Sequence, residues 1–424
     1  MTVTAESEVA VQEAVPTNFW TAARKAGATF VVLGVLAFLF WGPLSGRGGD
    51  AHFTAGESAA NTTIGIPSRG GAMVASGIAM LCGLLLLSRR VVPLRRTLLG
   101  VAIVSLVAAA LFWQVNGNTM PLGNAASLTV FAALPLIFGA LGGVIGERSA
   151  VINVAIEGQL LMGAFLSALV GTMAKSTWAG LFAAGVGGLL VAILLAVFAI
   201  KYQVDQVVLG VVLNLLVLGL TSYLYLQVMA PHQESFNSAP NLPIWKVPGL
   251  DKIPIIGPAL FEQNILTYLA IVLVIAVHVG LFHTRWGLRT RAVGEHPAAA
   301  DTVGIKVIAT RYRNVLIAGF IAGIGGAYFT IGAGFNFSLN TTQGAGFIAL
   351  AAVIFGRWKP IGATMAALLF GFTTYLGDYL PAIGSSIPSA FLSMLPYIAT
   401  IIAVAGLVGR VRAPAADGKP YVKG

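Results

Sequence analysis

Charged side chains are scarce in this sequence. Asp, Glu, Lys and Arg together make up 9% of the residues, whereas hydrophobic residues make up 57%. A soluble globular domain has roughly a quarter of its residues charged. So few charges exclude a water-exposed surface around a globular fold, and the mean hydropathy of +0.87 agrees with this. The sequence therefore predicts an integral membrane protein.

Cysteine and catalytic motifs are also nearly absent. The single cysteine, Cys82, lies in an apolar run, which excludes a disulfide framework and predicts a buried, inert thiol. The sequence has no Gly-x-x-x-x-Gly-Lys-[Ser/Thr] phosphate loop and no His-Glu-x-x-His motif, and its five histidines are scattered. We therefore expect no catalytic residues, no metal site and no cofactor in this chain, and we do not expect an enzyme.

Apolar runs of about 20 residues are abundant and indicate transmembrane helices. They predict an all-α polytopic fold with about 12 transmembrane helices. The runs lie at about 27–45, 71–88, 98–114, 125–146, 151–173, 178–200, 206–230, 265–283, 315–334, 345–356, 361–380 and 391–409. The run at 345–356 is too short to cross alone, so it is a half-helix or a helix that starts further upstream. Between 125 and 175, the possibility of one broken helix in place of two spans stays open.

The distribution of Lys and Arg predicts the orientation. With twelve alternating crossings and the N-terminus inside, 20 of the 25 basic residues lie in inner segments and 5 in outer ones. Cytoplasmic loops carry such an excess. We therefore expect both termini in the cytoplasm, and the net charge of +10 reflects this bias rather than a nucleic-acid partner.

Ionisable and amide side chains interrupt one apolar run. Between Leu134 and Gly163 they include Glu147, Arg148, Asn153 and Glu157. Such groups are costly at membrane depth and mark functional positions. Asn153 and Glu157 stand four apart and are expected on one helix face. Glu157 either locks two helices together, lines a transport path or carries a proton.

Asn214 is a further polar residue in the middle of a predicted span. An Asn in such a position is equally consistent with a hydrogen bond between helices and with a ligand contact. We take Asn153, Glu157 and Asn214 as the candidate substrate pathway.

A basic loop at 284–314 carries the second pattern. His296-Pro297 predicts a helix start, 298–303 a short helix and Gly304 its end. A short helix with an apolar face and basic flanks suits docking onto a cytoplasmic partner. A solvated basic loop is the alternative.

Together, the two patterns resemble motifs of the membrane permease subunits of ATP-binding cassette importers, in the superfamily for branched-chain amino acids, ribose and nucleosides. The first is similar to Glu-Arg-Ser-Gly-Val-Val-Asn-Ile-Gly-Leu-Glu-Gly and the second to Ala-Val-Gly-Glu-Asn-Pro-x-Ala-Ala-x-x-x-Gly-Ile. The matching positions are Glu147, Arg148, Ser149, Val151, Asn153, Glu157, Gly158, Ala292, Val293, Gly294, Glu295, Pro297, Ala298, Ala299, Gly304 and Ile305. This chain has Ala150, Ala155 and His296 where Gly, Gly and Asn are usual.

The resemblance covers about residues 125–412. It implies a permease core there, preceded by a cytoplasmic tail (1–26) and a three-span extension (27–124), and followed by a second tail (413–424). The second motif would be the loop that couples the permease to its ATPase. Its residues are Gly294, Glu295, Pro297, Ala298, Ala299, Asp301 and Gly304.

The implied function is ATP-driven import of a small molecule across the bacterial cytoplasmic membrane. The first motif is most like the nucleoside and simple-sugar branch, with nucleosides preferred. The implied partners are cytoplasmic ATPase subunits, a second permease subunit (the same or a different chain) and an extracytoplasmic substrate-binding protein. Two rivals stay open: a proton-coupled secondary transporter and a non-transporting scaffold subunit. The partner-like basic loop argues against the first, and the intramembrane carboxylate against the second.

Overall fold

A computed structural model describes residues 22–46, 48–55, 63–88, 94–384, 387, 390, 391, 394, 397 and 412–422, and these are mainly helical. The α-helices are α1 (Ala22–Trp41), α2 (Ser68–Leu87), α3 (Arg95–Gln114), α4 (Leu122–Glu147), α5 (Ile156–Met173), α6 (Thr177–Ala196), α7 (Gln206–Leu224), α8 (Gln233–Phe236), α9 (Ile265–His283), α10 (Arg285–Glu295), α11 (Pro297–Thr302), α12 (Val307–Gly326), α13 (Ala345–Phe355) and α14 (Pro360–Ala382). The strands are β1 (Asp50–Thr54), β2 (Thr63–Pro67), β3 (Thr119–Pro121), β4 (Ile244–Lys246) and β5 (Glu262–Asn264). The predicted all-α polytopic fold is confirmed.

Ten of the described helices are long and apolar enough to cross a membrane. They are α1 to α7, α9, α12 and α14, and π-helical turns extend α6 and α7 to Lys201 and Met229. These ten match ten of the twelve predicted runs. The eleventh run is α13, whose 11 residues span only about 16 Å. The twelfth, at 391–409, falls for the most part outside the described residues.

The helix beginnings follow from local sequence. Asp205 Oδ1 accepts hydrogen bonds from the backbone N–H groups of Val207 and Val208 at 3.0 and 2.9 Å, which caps α7. Asn264 caps α9 in the same way through Leu266 N. α14 begins with Pro360, whose fixed φ suits the first helical position.

The chain divides into two compact units. The first comprises Met1–Ala51 and Ile66–Asn116 and contains α1, α2 and α3. A β-carbon placed on Gly83 of α2 would lie 2.8 Å from Gly27 O of α1, so the two helices cross in close backbone contact. Cys82 is buried beside Phe30 and carries a free thiol, as the sequence predicts.

The second unit comprises His52–Gly65 and Gly117–Gly424. Its strands are short: β1 runs parallel to β3 with His52 opposite Thr119, and β4 pairs antiparallel with β5. Its buried centre is formed by α4, α5, α6 and α12. Glycines let these helices approach closely: a β-carbon on Gly142 would lie 2.7 Å from Ala318 O, and one on Gly319 2.7 Å from Gly188 O.

Candidate functional site

A turn interrupts the apolar run that carries the first motif. α4 ends at Glu147, and the chain passes through 148–155 before α5 begins at Ile156. Gly146 O accepts hydrogen bonds from Ser149 Oγ at 2.8 Å and from Val151 N at 3.2 Å, which closes the turn. Ala150 has a φ of +67°, in the left-handed region that favours glycine. Alanine at this position therefore strains the turn.

The expectation that Asn153 and Glu157 share a helix face is wrong, because Asn153 precedes α5. A side chain from α7 bonds a backbone N–H group in the turn that precedes α5. Gln206 Oε1 accepts a hydrogen bond from Ile152 N at 2.7 Å. This contact joins residues 54 positions apart. Tertiary hydrogen bonding therefore sets the start of α5.

Buried amide side chains, hydrogen-bonded to one another and to the backbone, surround the start of α5. Asn153 and Gln159 exchange two side-chain hydrogen bonds, at 3.0 and 3.2 Å. Asn214 Oδ1 accepts from Gly158 N at 2.8 Å, and its Nδ2 donates to Val154 O at 2.9 Å. Asn214 thus ties α7 to α5, the first of its two predicted roles.

The Glu157 carboxylate holds the beginnings of two helices together. Its Oε1 accepts from Thr342 Oγ1 at 2.5 Å and from Gly344 N at 2.9 Å, and its Oε2 accepts from Gly346 N at 2.6 Å. Glu157 lies in the first turn of α5, and its donors lie at the start of α13. Both helix dipoles favour negative charge at this position. We call Glu157, Thr342, Gly344 and Gly346 the carboxylate lock.

α13 connects the carboxylate lock with the charged pair that ends α4. At the far end of α13, the Trp358 indole donates to Glu147 Oε2, and Arg148 Nε donates to Trp358 O at 2.9 Å. The length of α13 separates the lock from this pair by about 16 Å. α13 therefore joins two of the polar regions that the sequence marks.

The second motif forms two short helices, α10 and α11. His296 Nδ1 accepts from Ala299 N at 3.4 Å at the start of α11, and Gly304 follows its end with a φ of +83°. The predicted short helix and its stop are confirmed. The buried face consists of Val293, Ala300 and Val307. Ala298 and Ala299 are exposed, and Val303 is 75% exposed.

The two motifs, far apart in sequence, meet in the structure. Gly294 of α10 packs directly on the backbone oxygen of Arg148, and a β-carbon on Gly294 would overlap that oxygen. The charge of the neighbouring Glu295 also acts on the Arg148 guanidinium. α10 therefore lies in direct contact with the turn between α4 and α5.

The C-terminal segment, residues 412–422, packs against this junction. Ala416 N donates to Gly294 O at 2.9 Å, and Ala415 N donates to Glu295 Oε2 at 3.3 Å. Arg311 Nη1 of α12 donates to Lys419 O at 3.0 Å. Sequence reasoning did not find this contact, because the segment has no hydrophobic periodicity to mark it.

Asp417 is the buried acid of this segment. Burial raises the pKa of Asp417 to about 7, while the Gly418 N–H and the Arg311 charge act in the opposite direction. The carboxylate of Glu147 lies near enough to interact with it electrostatically. Within the described residues, Asp417 Oδ1 and Arg311 Nε have no hydrogen-bond partner. Docking of the C-terminal segment thus buries a titratable group.

A cavity of about 420 Å³ lies beside the carboxylate lock. It is lined by residues of α4, of the segment after α12 and of the loop before α13, and by residues of α14. A second cavity of about 250 Å³ adjoins it and shares Ala132, Tyr328 and Asp378 with it. The sequence analysis did not include this region in the candidate pathway, because its polar residues lie near the ends of predicted spans.

The polar groups of these regions take part in the packing of the helices. In the part of the chain that the structure describes, no group of three or more His, Cys, Asp and Glu side chains could hold a metal ion. The buried amides and the Glu157 carboxylate bond to backbone groups and to one another. These contacts set the relative positions of α4, α5, α7 and α13.

Known proteins are similar to this chain in sequence. Residues 124–405 match the family described as "Branched-chain amino acid transport system / permease component". The guanosine ABC transporter permease NupQ of Bacillus subtilis is 42% identical over 306 residues, which cover 70% of this chain and 95% of NupQ. The nucleoside ABC transporter permease NupC of Lactococcus lactis is 44% identical over 299 residues, covering 68% and 93%.

A third relative is the ABC transporter permease TsgC13 of Haloferax volcanii, whose name refers to glucose. It is 32% identical over 294 residues, which cover 64% of this chain and 88% of TsgC13. No solved structure matches this chain. The family match covers well over half of the sequence and contains both motifs, and it confirms the resemblance. This chain therefore belongs to the permease family of the branched-chain amino acid transport systems.

Proposed function

We propose that this permease moves nucleosides into the cell, driven by ATP hydrolysis in separate subunits. The similarity to NupQ and NupC carries the proposal, since identities of 42% and 44% extend over more than nine-tenths of each relative. Two relatives whose names refer to glucose are 32% and 26% identical. This difference favours nucleosides over simple sugars.

The coupling loop is the proposed contact with the ATPase subunits. Its residues are Gly294, Glu295, Pro297, Ala298, Ala299, Asp301 and Gly304. The exposed side of α11 provides a small apolar surface, and the buried side is fixed to the core through Val293 and Ala300. Because Gly294 rests on the Arg148 backbone, a push on α11 reaches α4 and α5. This continuity supports the coupling role.

Asn153, Glu157 and Asn214 shape the proposed substrate pathway. Their polar groups bond to other parts of the protein, so they position α5, α7 and α13 around the path. The hydrogen bonds from Gly344 N and Gly346 N give the Glu157 carboxylate a packing role between α5 and α13 that needs no proton transfer. The carboxylate lock therefore favours the ATP-driven proposal over the proton-coupled rival.

The proposed location is the bacterial cytoplasmic membrane, with both termini in the cytoplasm. Two contacts between residues that the charge bias assigns to the inside support this orientation. Arg148 contacts the Arg357 backbone, and Arg311 contacts the Lys419 backbone. Both Ser238 and Thr302 are exposed. In a Cys82→Ser background, cysteine at position 238 should react with an impermeant thiol reagent from outside, and cysteine at 302 only after permeabilisation.

The other proposed partners are a second permease subunit and an extracytoplasmic substrate-binding protein. The family match begins at residue 124. We accordingly assign 125–412 to the permease core, 27–124 to a three-span extension, and 1–26 and 413–424 to cytoplasmic tails. The first compact unit, with α1 to α3, supports the separate identity of the extension.

The test is uptake of radiolabelled nucleoside by cells that produce this chain with and without its co-purifying ATPase. Saturable uptake that requires the ATPase and is competed by unlabelled nucleosides, but not by ribose, supports the proposal. Uptake of ribose alone would assign the protein to simple sugars. Uptake that persists without the ATPase and stops when the proton gradient is collapsed would overturn the ATP-driven proposal.

A further inference from the structure

The cavity beside the carboxylate lock has the size and lining of a small-molecule site. Its volume of about 420 Å³ lies in the range of ligand pockets. We call it the α4–α14 cleft and define it by six of its lining residues. These are Tyr328, Phe335, Thr342, Gln343, Asp378 and Tyr397.

The carboxylate lock fixes one wall of the cleft. Thr342 donates its hydroxyl proton to Glu157, and Gly344 N bonds to the same oxygen. Gln343, between them, has a φ of +46°, and its backbone oxygen accepts a hydrogen bond from the Tyr397 hydroxyl at 3.2 Å. Residues 342–344, which form this wall of the cleft, are therefore held in place by hydrogen bonds within the protein. The wall does not depend on a ligand for its position.

Three polar groups on the cleft wall are available to a ligand. Within the described residues, the Tyr328 hydroxyl, the Gln343 amide and the Asp378 carboxylate make no hydrogen bond, and all three line the cleft. Aromatic rings lie next to them, and Tyr328 packs on Phe131 with ring centroids 4.7 Å apart. A rigid aromatic surface beside an acceptor and an amide suits a flat, hydroxylated molecule.

The types of charged side chain that line the cleft limit the class of ligand that it can bind. No Lys, Arg or His is found among the described residues that line it. A substrate carboxylate or phosphate would need such a cation or a free helix N-terminus. The N-terminus of α13 already binds the Glu157 carboxylate. The cleft therefore disfavours amino acids and nucleotides and favours an uncharged molecule.

We propose that the α4–α14 cleft binds the nucleoside during transport, with the Asp378 carboxylate accepting hydrogen bonds from the ribose 2′ and 3′ hydroxyls. A carboxylate has two acceptor oxygens, which match the two neighbouring donors of a vicinal diol. The base then lies against the aromatic side of the cleft. This inference rests on the proposed function and adds to it the residue that selects the sugar.

The test compares uptake of a radiolabelled ribonucleoside with that of the 2′,3′-dideoxynucleoside of the same base. Asp378→Asn is expected to lower the rate for the ribonucleoside about tenfold, because a hydrogen bond to a charged group is replaced by a weaker one. The rate for the dideoxynucleoside, which lacks both hydroxyls, should stay unchanged. The ratio of the two rates cancels any difference in the amount of inserted protein.

Two further variants complete the test. Glu234→Gln removes an exposed carboxylate from α8 and should leave the ratio at its wild-type value. Asp378→Glu keeps the carboxylate and should retain a ratio between those of the wild type and Asp378→Asn. An unchanged ratio in Asp378→Asn would overturn the inference while leaving nucleoside transport intact. A wild-type protein that imports no nucleoside would instead overturn the proposed function itself.

Discussion

At the scale of single residues, the Glu157 carboxylate joins two helix beginnings that are far apart in the chain. The residues that donate to it, Thr342, Gly344 and Gly346, lie 185, 187 and 189 positions away. Glu157 itself is only 7% exposed. Three hydrogen-bond donors hold the two oxygens of this side chain at the N-termini of both helices. Its main role in the structure is to fix the start of α13 against α5.

Replacing Glu157 therefore tests whether it is a lock or a substrate contact. Glu157→Ala leaves three buried donors without an acceptor and should destabilise the protein by about 3 kcal/mol. Glu157→Gln keeps one oxygen acceptor and should lose about half of that. For the Ala variant, we expect the midpoint of thermal unfolding in detergent to fall by about 3 to 5 °C.

Measuring substrate selectivity as well as stability distinguishes the two possible roles of Glu157. Under the lock interpretation, the ratio of ribonucleoside to dideoxynucleoside uptake is the same in Glu157→Gln and in the wild type. Glu234→Gln, whose carboxylate is exposed on α8, should change neither stability nor selectivity. Wild-type thermal stability together with altered selectivity in Glu157→Gln would show that Glu157 contacts the substrate.

At the scale of elements, the C-terminal segment is attached to the coupling loop. Ala416 N bonds to Gly294 O, and Ala415 N bonds to the Glu295 side chain. On its other side, Gly418 lies against the side chain of Ile152 in the turn between α4 and α5. The segment therefore bridges the loop and the turn, and its attachment affects how firmly α10 is held.

The attachment of this segment should depend on pH through Asp417. Its pKa is raised to about 7 by burial when the segment is docked, against an ordinary value near 3.8. The docked state then holds a proton that the free segment has lost, so docking is stabilised at low pH and weakens as the pH rises through about 7. Between about pH 6 and about pH 8, the docking equilibrium should fall about tenfold.

Hydrogen exchange of the Ala416 amide measures this effect directly, since that N–H bonds to Gly294 O. Its protection, corrected for the intrinsic pH dependence of exchange, should fall between the two pH values. In Asp417→Asn, which cannot lose the proton, protection should be independent of pH. Protection in the wild type that rises with pH would contradict the sign of this prediction.

The sequence predicts local elements well and long-range contacts poorly. α11 follows from His296-Pro297 and Gly304, which border the element, and the short α13 follows from the length of its apolar run. The start of α5 was placed about five residues too early. Gln206 and Asn214 set that start from another helix, and no pattern in 147–158 reveals them. The cleft was missed for the same reason, since it forms only when α4, α13 and α14 pack together.

At the scale of the whole molecule, the permease core and the first three helices are separate compact units. The family match covers residues 124–405, and NupQ aligns over 95% of its own length with 306 residues of this chain. Both motifs, the carboxylate lock and the α4–α14 cleft lie within that region. We therefore expect the second unit to be sufficient for transport, and α1 to α3 to have a separate role.

A chain that begins at Met120 tests this division. It lacks α1 to α3 but retains α4 from its first residue, Leu122. Because the buried contacts of the core are formed within the second unit, we expect it to insert into the membrane and to retain most of the nucleoside uptake. Its stability should be slightly lower, because the pairing of β1 with β3 is lost. A matched control that begins at Leu134 removes half of α4, including the Ala132 wall of the cleft, and should not transport. Loss of uptake in the Met120 chain despite normal insertion would show that α1 to α3 take part in transport itself.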